Sequence, residues 1–392
     1  MRFPRECYQM ERTIAQYMSH LRPSERRGLM LWVYGTVIAR SACQNAVATA
    51  LLSLGLWNSV RQRLREWLYD GSERARPCNT QLEVSLCFAP LTRWLLSWWQ
   101  TDQLALAIDA TLHSDRLTAL VVSVLYRGCA IPVAWHILPA NTRGPWIGPI
   151  TGLLQSLEPS IPKHMSVLVM TDRGLWSPRL WKQIRAQGWH PVMRIRGDAV
   201  FQPVGGCRMP ARRLIPGPGH AWVGTGTAFN TKHRHRFGTL IVMWDEEQAQ
   251  PWIVLTDLAP QDVGVSWYGL RVWIELGFRA LKGVGWQWQH TRRTDPDRAS
   301  RHWLVIAVAM LWVMAYGSRA EDADALGVRP DKLRLPPDTY IEHSRVISVF
   351  SQGISWMLTR MLKGRMWSVL WLIPEPWPDV HKHLSLIYHP YT

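Results

Sequence analysis

The sequence predicts an α/β protein, and three observations predict it. Apolar runs separated by tight turns fill residues 104–138, helix-like and strand-like segments then alternate through residue 196, and helical periodicity occupies both flanks of the chain. With 392 residues and 47% hydrophobic content the chain can bury a large core, spread over two or three domains.

Residues 10–70 carry helical periodicity through GLMLWVYGTVIARSACQNAVATALLSLGLW and then a basic amphipathic segment, SVRQRLREWLYD. The stretch GSERARPCN at 71–79 has the composition of a linker, which closes a helical N-terminal module at 1–80. A helix near 82–99 opens the next unit. LALAIDAT (104–111), RLTALVVSVLYRG (116–128) and CAIPVAWHIL (129–138) follow as three successive antiparallel strands. A helix at 146–157, a strand at 165–175, a helix at 178–187 and a strand at 190–196 complete the first part of the core, 81–196. Three strands, helix, strand, helix, strand is the order of a ribonuclease H-like core.

Residues 197–256 interrupt that core as a β-rich insertion: Gly and Pro dominate its start, and RFGTLIVMW and QPWIVLTDL read as strands. The core resumes over 257–316. Its last element is the apolar run Trp303–Tyr316, too short at 14 residues to span a bilayer and suited to a buried helix. A polar, proline-containing segment at 317–340 reads as a loop, and 341–372 as one or two helices within a mainly helical C-terminal region, 317–392.

The formal charge of +16, dominated by arginine, points to a polyanionic partner. The insertion sharpens this. Between Ala199 and Trp244 it holds Arg208, Arg212, Arg213, Lys232, Arg234 and Arg236 and no acidic residue, which suits a face laid on nucleic acid better than a solvated surface. Arg61, Arg63 and Arg65 could also meet phosphates, although alternate positions on a helix do not share a face. Arg279, Lys282, Arg292, Arg293, Arg298 and Arg301 extend a basic path downstream. The N-terminus lacks the apolar core of a secretory signal, and six cysteines without paired short spacing argue against a zinc site or a disulfide framework. The expected compartment is a reducing cytoplasm, with no membrane involved.

Tyr268, Arg271, Glu275 and Lys282 stand in WYGLRVWIELGFRALKGVGW. At about 100° per residue, 271, 275 and 282 fall roughly −60°, −20° and −40° from 268, so all four share one helical stripe. The carboxylate suits a hard cation; the phenol and the two cations suit phosphate oxygens. A plain i, i+4 surface ion pair between Arg271 and Glu275 is the bland alternative. Two further acids end strands: Asp109 the first, Asp172 the fourth. Either could be only a cap or turn residue. Asp115, the nearest competitor to Asp109, lies in a polar turn. Together Asp109, Asp172 and Glu275 form a candidate catalytic triad whose mutual repulsion calls for cations, two Mg²⁺ with Mn²⁺ as substitute.

With both aspartates in order, the chain resembles the DDE transposases of bacterial insertion sequences, specifically the insertion sequence four type with its Tyr-x2-Arg-x3-Glu-x6-Lys signature. The match covers about residues 104–285 and includes the contexts AIDAT and TDRG. The resemblance implies a cut-and-paste enzyme that nicks the element end, forms and reopens a DNA hairpin, and joins the end to target DNA. It implies that Asp109, Asp172 and Glu275 hold the metals while Tyr268, Arg271 and Lys282 hold phosphates near the terminal nucleotides. In related enzymes a tryptophan of the insertion stacks on a flipped base. Trp222, Trp244 and Trp252 are the candidates here, with Trp244 preferred. The insertion is modest beside that of the best-known members. Double-stranded DNA bearing terminal inverted repeats, target DNA and a second copy of the chain are the implied partners. A ribonuclease H-like nuclease without strand transfer, or an inactive transposase-derived DNA-binding protein, would share parts of this pattern.

Overall fold

The computed structural model describes residues 3–53, 59–74, 81–140, 142, 144, 146–283, 285–334, 336, 339–342, 344–366, 370–378 and 384–388. Four helices open the chain: α1 (Arg5–Tyr17), α2 (Pro23–Ala39), α3 (Gln44–Ser53) and α4 (Val60–Leu68). Part of the expected linker, residues 75–79, lies outside the described residues. A 3-10 turn and α5 (Phe88–Ser97) lead to the sheet.

The strands β1 (Gln103–His113), β2 (Leu117–Tyr126) and β3 (Cys129–Pro139) form the antiparallel run expected of them. The β2 to β3 turn needs positive φ twice, at Arg127 (44°) and Gly128 (74°). After α6 (Ile147–Leu157), β4 (Ser166–Thr171) pairs parallel to β1; after α7 (Pro178–Ala186), β5 (His190–Arg194) pairs parallel to β4. Ser177 caps α7, accepting from the amides of Arg179 and Leu180, with Pro178 in the first turn.

Residues 197–256 are β-rich as expected, but they do not stand apart. β6 (Val200–Pro203), β7 (Met209–Pro210), β8 (His220–Ala228), β9 (Arg236–Trp244) and β10 (Trp252–Thr256) extend the same sheet, because β10 pairs antiparallel to β5 and covers its edge. The order is β3-β2-β1-β4-β5-β10-β9-β8-β6-β7, and β11 (Ser385–Tyr388) pairs with β8. The fold is mixed α/β around one large mixed sheet.

Alternation along the strands divides the sheet into two faces. Leu106 and Ile108 of β1, Val167 and Val169 of β4 and Met193 of β5 join the main core with α6 and α7. Ala105 and Ala107, Leu168 and Met170, and Val192 point the other way, into a second core with Tyr268, Leu270 and Ile274. That second face is covered by α8 (Val272–Lys282).

The helix expected at 303–316 is longer: α9 runs Pro296–Ala325, started by Asp295, whose side chain accepts from the Arg298 amide. By length and composition it could cross a bilayer, yet 94% of its apolar window is buried inside the fold, among α2, α4, α10 (Val349–Leu362) and β3. The expected loop at 317–340 therefore begins nine residues late, after Ala325. Two of the acids that suggested a loop, Glu321 and Asp322, are buried as partners of cations elsewhere in the chain. Arg127 binds Asp322 at 2.7 Å and Glu321 at 3.0 Å, and Arg345 binds Glu321 at 2.5 Å. Burial pushes the Tyr126 phenol beside this network up to about 12.

Glycines let α10 lie against α9. A Cβ on Gly353 would run into the carbonyl oxygen of Val313, and one on Gly317 into that of Val349. Gly353→Val should therefore lower stability by about 1–3 kcal/mol, the usual cost of overpacking, despite its better helix propensity. The urea-unfolding midpoint measures it; an unchanged midpoint would mean that the helices do not cross there.

Candidate active site

The last paired residues of β1 and β4 are Ile108 and Thr171, so the next pair in register is Asp109 and Asp172. Both continue the alternation of Ala105, Ala107 and of Leu168, Met170 onto the face that carries α8. Each carboxylate also serves its own backbone: Asp109 accepts from the Ala110 amide at 2.8 Å, and Asp172 from the Leu175 amide at 3.1 Å. The capping role weighed for Asp172 is thus real, and it leaves the second carboxylate oxygen for other partners.

The stripe is built in two pieces rather than one helix. Trp267–Arg271 is a 3-10 turn, and α8 starts at Val272. Residues three apart eclipse in a 3-10 turn, so Tyr268 and Arg271 still stack. Tyr268 is 4% exposed and its hydroxyl donates to the Thr171 carbonyl at 3.1 Å. Here the sequence expectation of a phosphate-binding phenol meets a different arrangement: the hydroxyl faces the strand because the turn buries the ring against Trp252, 5.3 Å between centroids. Burial drives its pKa far above the usual phenol value. The turn ties α8 to the residue before Asp172. Farther along, Gly277 lets the helix settle on β3, since a Cβ there would stand 2.9 Å from that of Ala130.

Arg271 joins the acids. Its Nη2 donates to Asp109 Oδ2 at 2.6 Å and its Nη1 to Glu275 Oε1 at 2.8 Å. The i, i+4 pair of the bland reading exists, but its guanidinium is only 13% exposed and reaches a strand as well. Burial raises the Asp109 carboxyl above its ordinary range; Arg271 and the Ala110 amide oppose this, and the charges of Asp172 and Glu275 add to it. Arg271 is itself held up, against burial, by Asp109, Tyr268, Asp172 and Glu275. The two directions are consistent: neighbouring carboxylates crowd an anion and stabilise a cation. All three acids thus lie within electrostatic reach of one another.

Lys282 lies about two turns beyond Glu275 on α8, half-buried, and burial lowers its pKa. Arg194, which sequence reasoning passed over, ends β5 with the parity of Val192 and so faces the same side, close enough to act on Tyr268. The signal for it was the alternation of HPVMRIR. Arg212 and Arg213 are exposed beside Gly197, which follows β5. Arg234, exposed, and Arg236, half-buried with its Nη1 on the His235 carbonyl, sit at the β8 to β9 turn. The register of β9 on β10 and of β10 on β5 carries that turn to the end of the sheet away from Asp172, so these two do not flank the acids. Trp244 is half-buried with its indole N–H on the Gln248 carbonyl, and Trp222 is buried against Phe201. Of the three tryptophans, Trp252 is the one on the signature Tyr268, where Trp244 had been preferred. Downstream, Arg301 is a buried partner of Asp70 and the Leu68 carbonyl, and Arg298 pairs with Glu73, so both are engaged within the fold.

Three carboxylates with Glu275 57% exposed make an oxygen-only donor set with room for added water, which fits a hard divalent cation. Among the described residues, however, no group of three or more Asp, Glu, His or Cys stands close enough to hold one. The space between Asp109 and Glu275 is spanned by a guanidinium.

Residues 147–312 match a family model described as a transposase DDE domain. That span contains Asp172 and all four signature residues and starts after Asp109. No curated protein matches the chain. Among solved structures, one match is the piggyBac transposase synaptic complex with hairpin DNA, at 12% identity and a TM-score of 0.38, covering 92% of this chain and 82% of that one. A likeness so loose carries no argument about this chain.

Removing the Tyr268 hydroxyl should leave the buried Thr171 carbonyl short of a donor. Tyr268→Phe should cost about 1–2 kcal/mol of stability, read by denaturant unfolding; no loss would mean the bond to β4 is not formed.

Proposed function

We infer that this chain is a DDE transposase of the insertion sequence four type, which cuts DNA at the ends of a mobile element and joins those ends to a target. The observation that carries the reading is the position of Asp109 and Asp172 side by side in register, beneath a 3-10 turn and a helix that bring Arg271 and Glu275 over them. The sheet order β3-β2-β1-β4-β5 supports a ribonuclease H-like core extended by a β-rich insertion at 197–256. The family match over 147–312 supports the same class.

Asp109, Asp172 and Glu275 would hold two Mg²⁺, with Mn²⁺ as substitute. Bound there, the ions would activate a water or a 3′-hydroxyl and stabilise the leaving oxygen of an in-line displacement at phosphorus. The chain's own cations do the rest. Arg271 offers a forked guanidinium to a phosphate, Lys282 a point charge farther along the strand, and Arg194 a second guanidinium from β5. Arg212 and Arg213 supply exposed positive charge, and the net charge of +16 draws the duplex in. A homodimer on paired terminal repeats, a hairpin intermediate and action in the bacterial cytoplasm belong to the same proposal.

The test uses DNA bearing the inverted repeats that bracket the gene. Mg²⁺-dependent cleavage and joining should both vanish in Glu275→Gln, with circular dichroism showing the fold intact. Cleavage that persists in this variant would overturn the assignment of the acid. Cleavage without joining in the unaltered protein would leave a nuclease instead.

A further inference from the structure

Arg271 occupies the place where a cation among the acids would sit. Its two terminal nitrogens are taken by Asp109 and Glu275. Its Nε is buried and has no hydrogen-bond partner among the described residues. The guanidinium is thus held by the acids and not locked by a third group. Two physical consequences follow. A planar guanidinium that spans two carboxylates keeps them apart by its own width, which accords with the lack of a ready cluster of three acids. Its charge also repels any divalent ion that approaches the same oxygens.

We propose that Arg271 is a positioning residue that couples metal loading to DNA binding: it closes the acids while the site is free of DNA, and turns onto a backbone phosphate when the strand arrives. This rests on the transposase reading of the same site. Every charge keeps a counter-charge through the exchange. If Arg271 left alone, Asp109, Asp172 and Glu275 would face one another uncompensated, and Asp109 is largely removed from water. The departure becomes favourable only when phosphate takes the guanidinium and metal ions take the carboxylates. The forked donor geometry that grips two carboxylates fits a phosphate equally well. Arg194 and Lys282 on the same side attract that phosphate, and Glu275, at 57% exposure, is the acid freest to swing.

The experiment measures Mn²⁺ binding to the full chain by electron paramagnetic resonance, with and without a short blunt DNA duplex, after subtracting binding to DNA alone. Without DNA, Arg271→Gln should bind Mn²⁺ at least about tenfold more tightly than the unaltered protein, because one positive charge has left the site. Arg271→Lys, which restores the charge, should bring affinity back toward the starting value. The duplex should tighten Mn²⁺ binding by the unaltered protein and leave Arg271→Gln unmoved. No gain in Arg271→Gln would overturn the coupling. If that variant unfolds, a DNA-independent Mn²⁺ affinity in the unaltered protein overturns it as well. Asp109→Asn separates the two readings: Mn²⁺ binding that survives it undiminished removes the ions from these acids and sinks the metal assignment itself. Binding lost in Asp109→Asn but unaltered in Arg271→Gln sinks the coupling alone.

Discussion

The parallel ladder between β1 and β4 ends with Ile108 opposite Thr171, and that register determines where the chemistry can be. Because side chains alternate, a slip of one residue in either strand would send one aspartate into the core beside Ile108 and leave its partner alone on the other face. The register is held by packing on both faces: Leu106, Ile108, Val167 and Val169 are buried in the main core, and Ala105, Ala107, Leu168 and Met170 in the second. On the upper face the small Ala105 and Ala107 leave space for α8 and the turn before it. Gly277 against Ala130 and Tyr268 against Thr171 then place Arg271 and Glu275 above the two strand ends.

Arg127 and Arg271 each face paired carboxylates, with opposite consequences. Around Arg127 the guanidinium is fully enclosed and its partners Glu321 and Asp322 are 4% and 2% exposed, so the group is committed to joining the β2 to β3 turn to the end of α9. Breaking such a buried set leaves charges without water or partner, which costs several kcal/mol. Around Arg271 one acid stays in solvent and one guanidinium nitrogen is unused. The same chemistry is there a removable contact. Enclosure, more than the residue types, separates a structural clamp from a group able to change partners.

Much of this was legible in the sequence because it depends on short-range periodicity. Apolar runs between turns marked β1 to β5, and acids at the ends of two of those strands marked the candidate site. What escaped depends on pairing between distant segments. Glu321 and Asp322 looked solvated because their partners, Arg127 and Arg345, lie outside that stretch of sequence. Residues 197–256 looked like a separate unit because nothing local reveals that β10 completes the edge of β5. Arg301 looked free for DNA, yet Asp70, far upstream, claims it. Tyr268 was expected on phosphate because nothing local shows that its ring packs on Trp252 and its hydroxyl donates to the Thr171 carbonyl. The basic residues Arg234 and Arg236 looked close to the acids in composition, but a hairpin of nine-residue strands carries them to the other end of the sheet.

On the proposed reading, Asp109, Asp172 and Glu275 become a divalent-metal site on DNA when Arg271 leaves them. Anomalous diffraction at the manganese edge, from crystals of the full chain with duplex DNA and Mn²⁺, would reveal that site. The expected map has manganese peaks between Asp109 and Asp172, with Glu275 turned toward them and Arg271 on a phosphate. A map with no manganese at these carboxylates, and Arg271 still bridging Asp109 and Glu275 beside bound DNA, would contradict it.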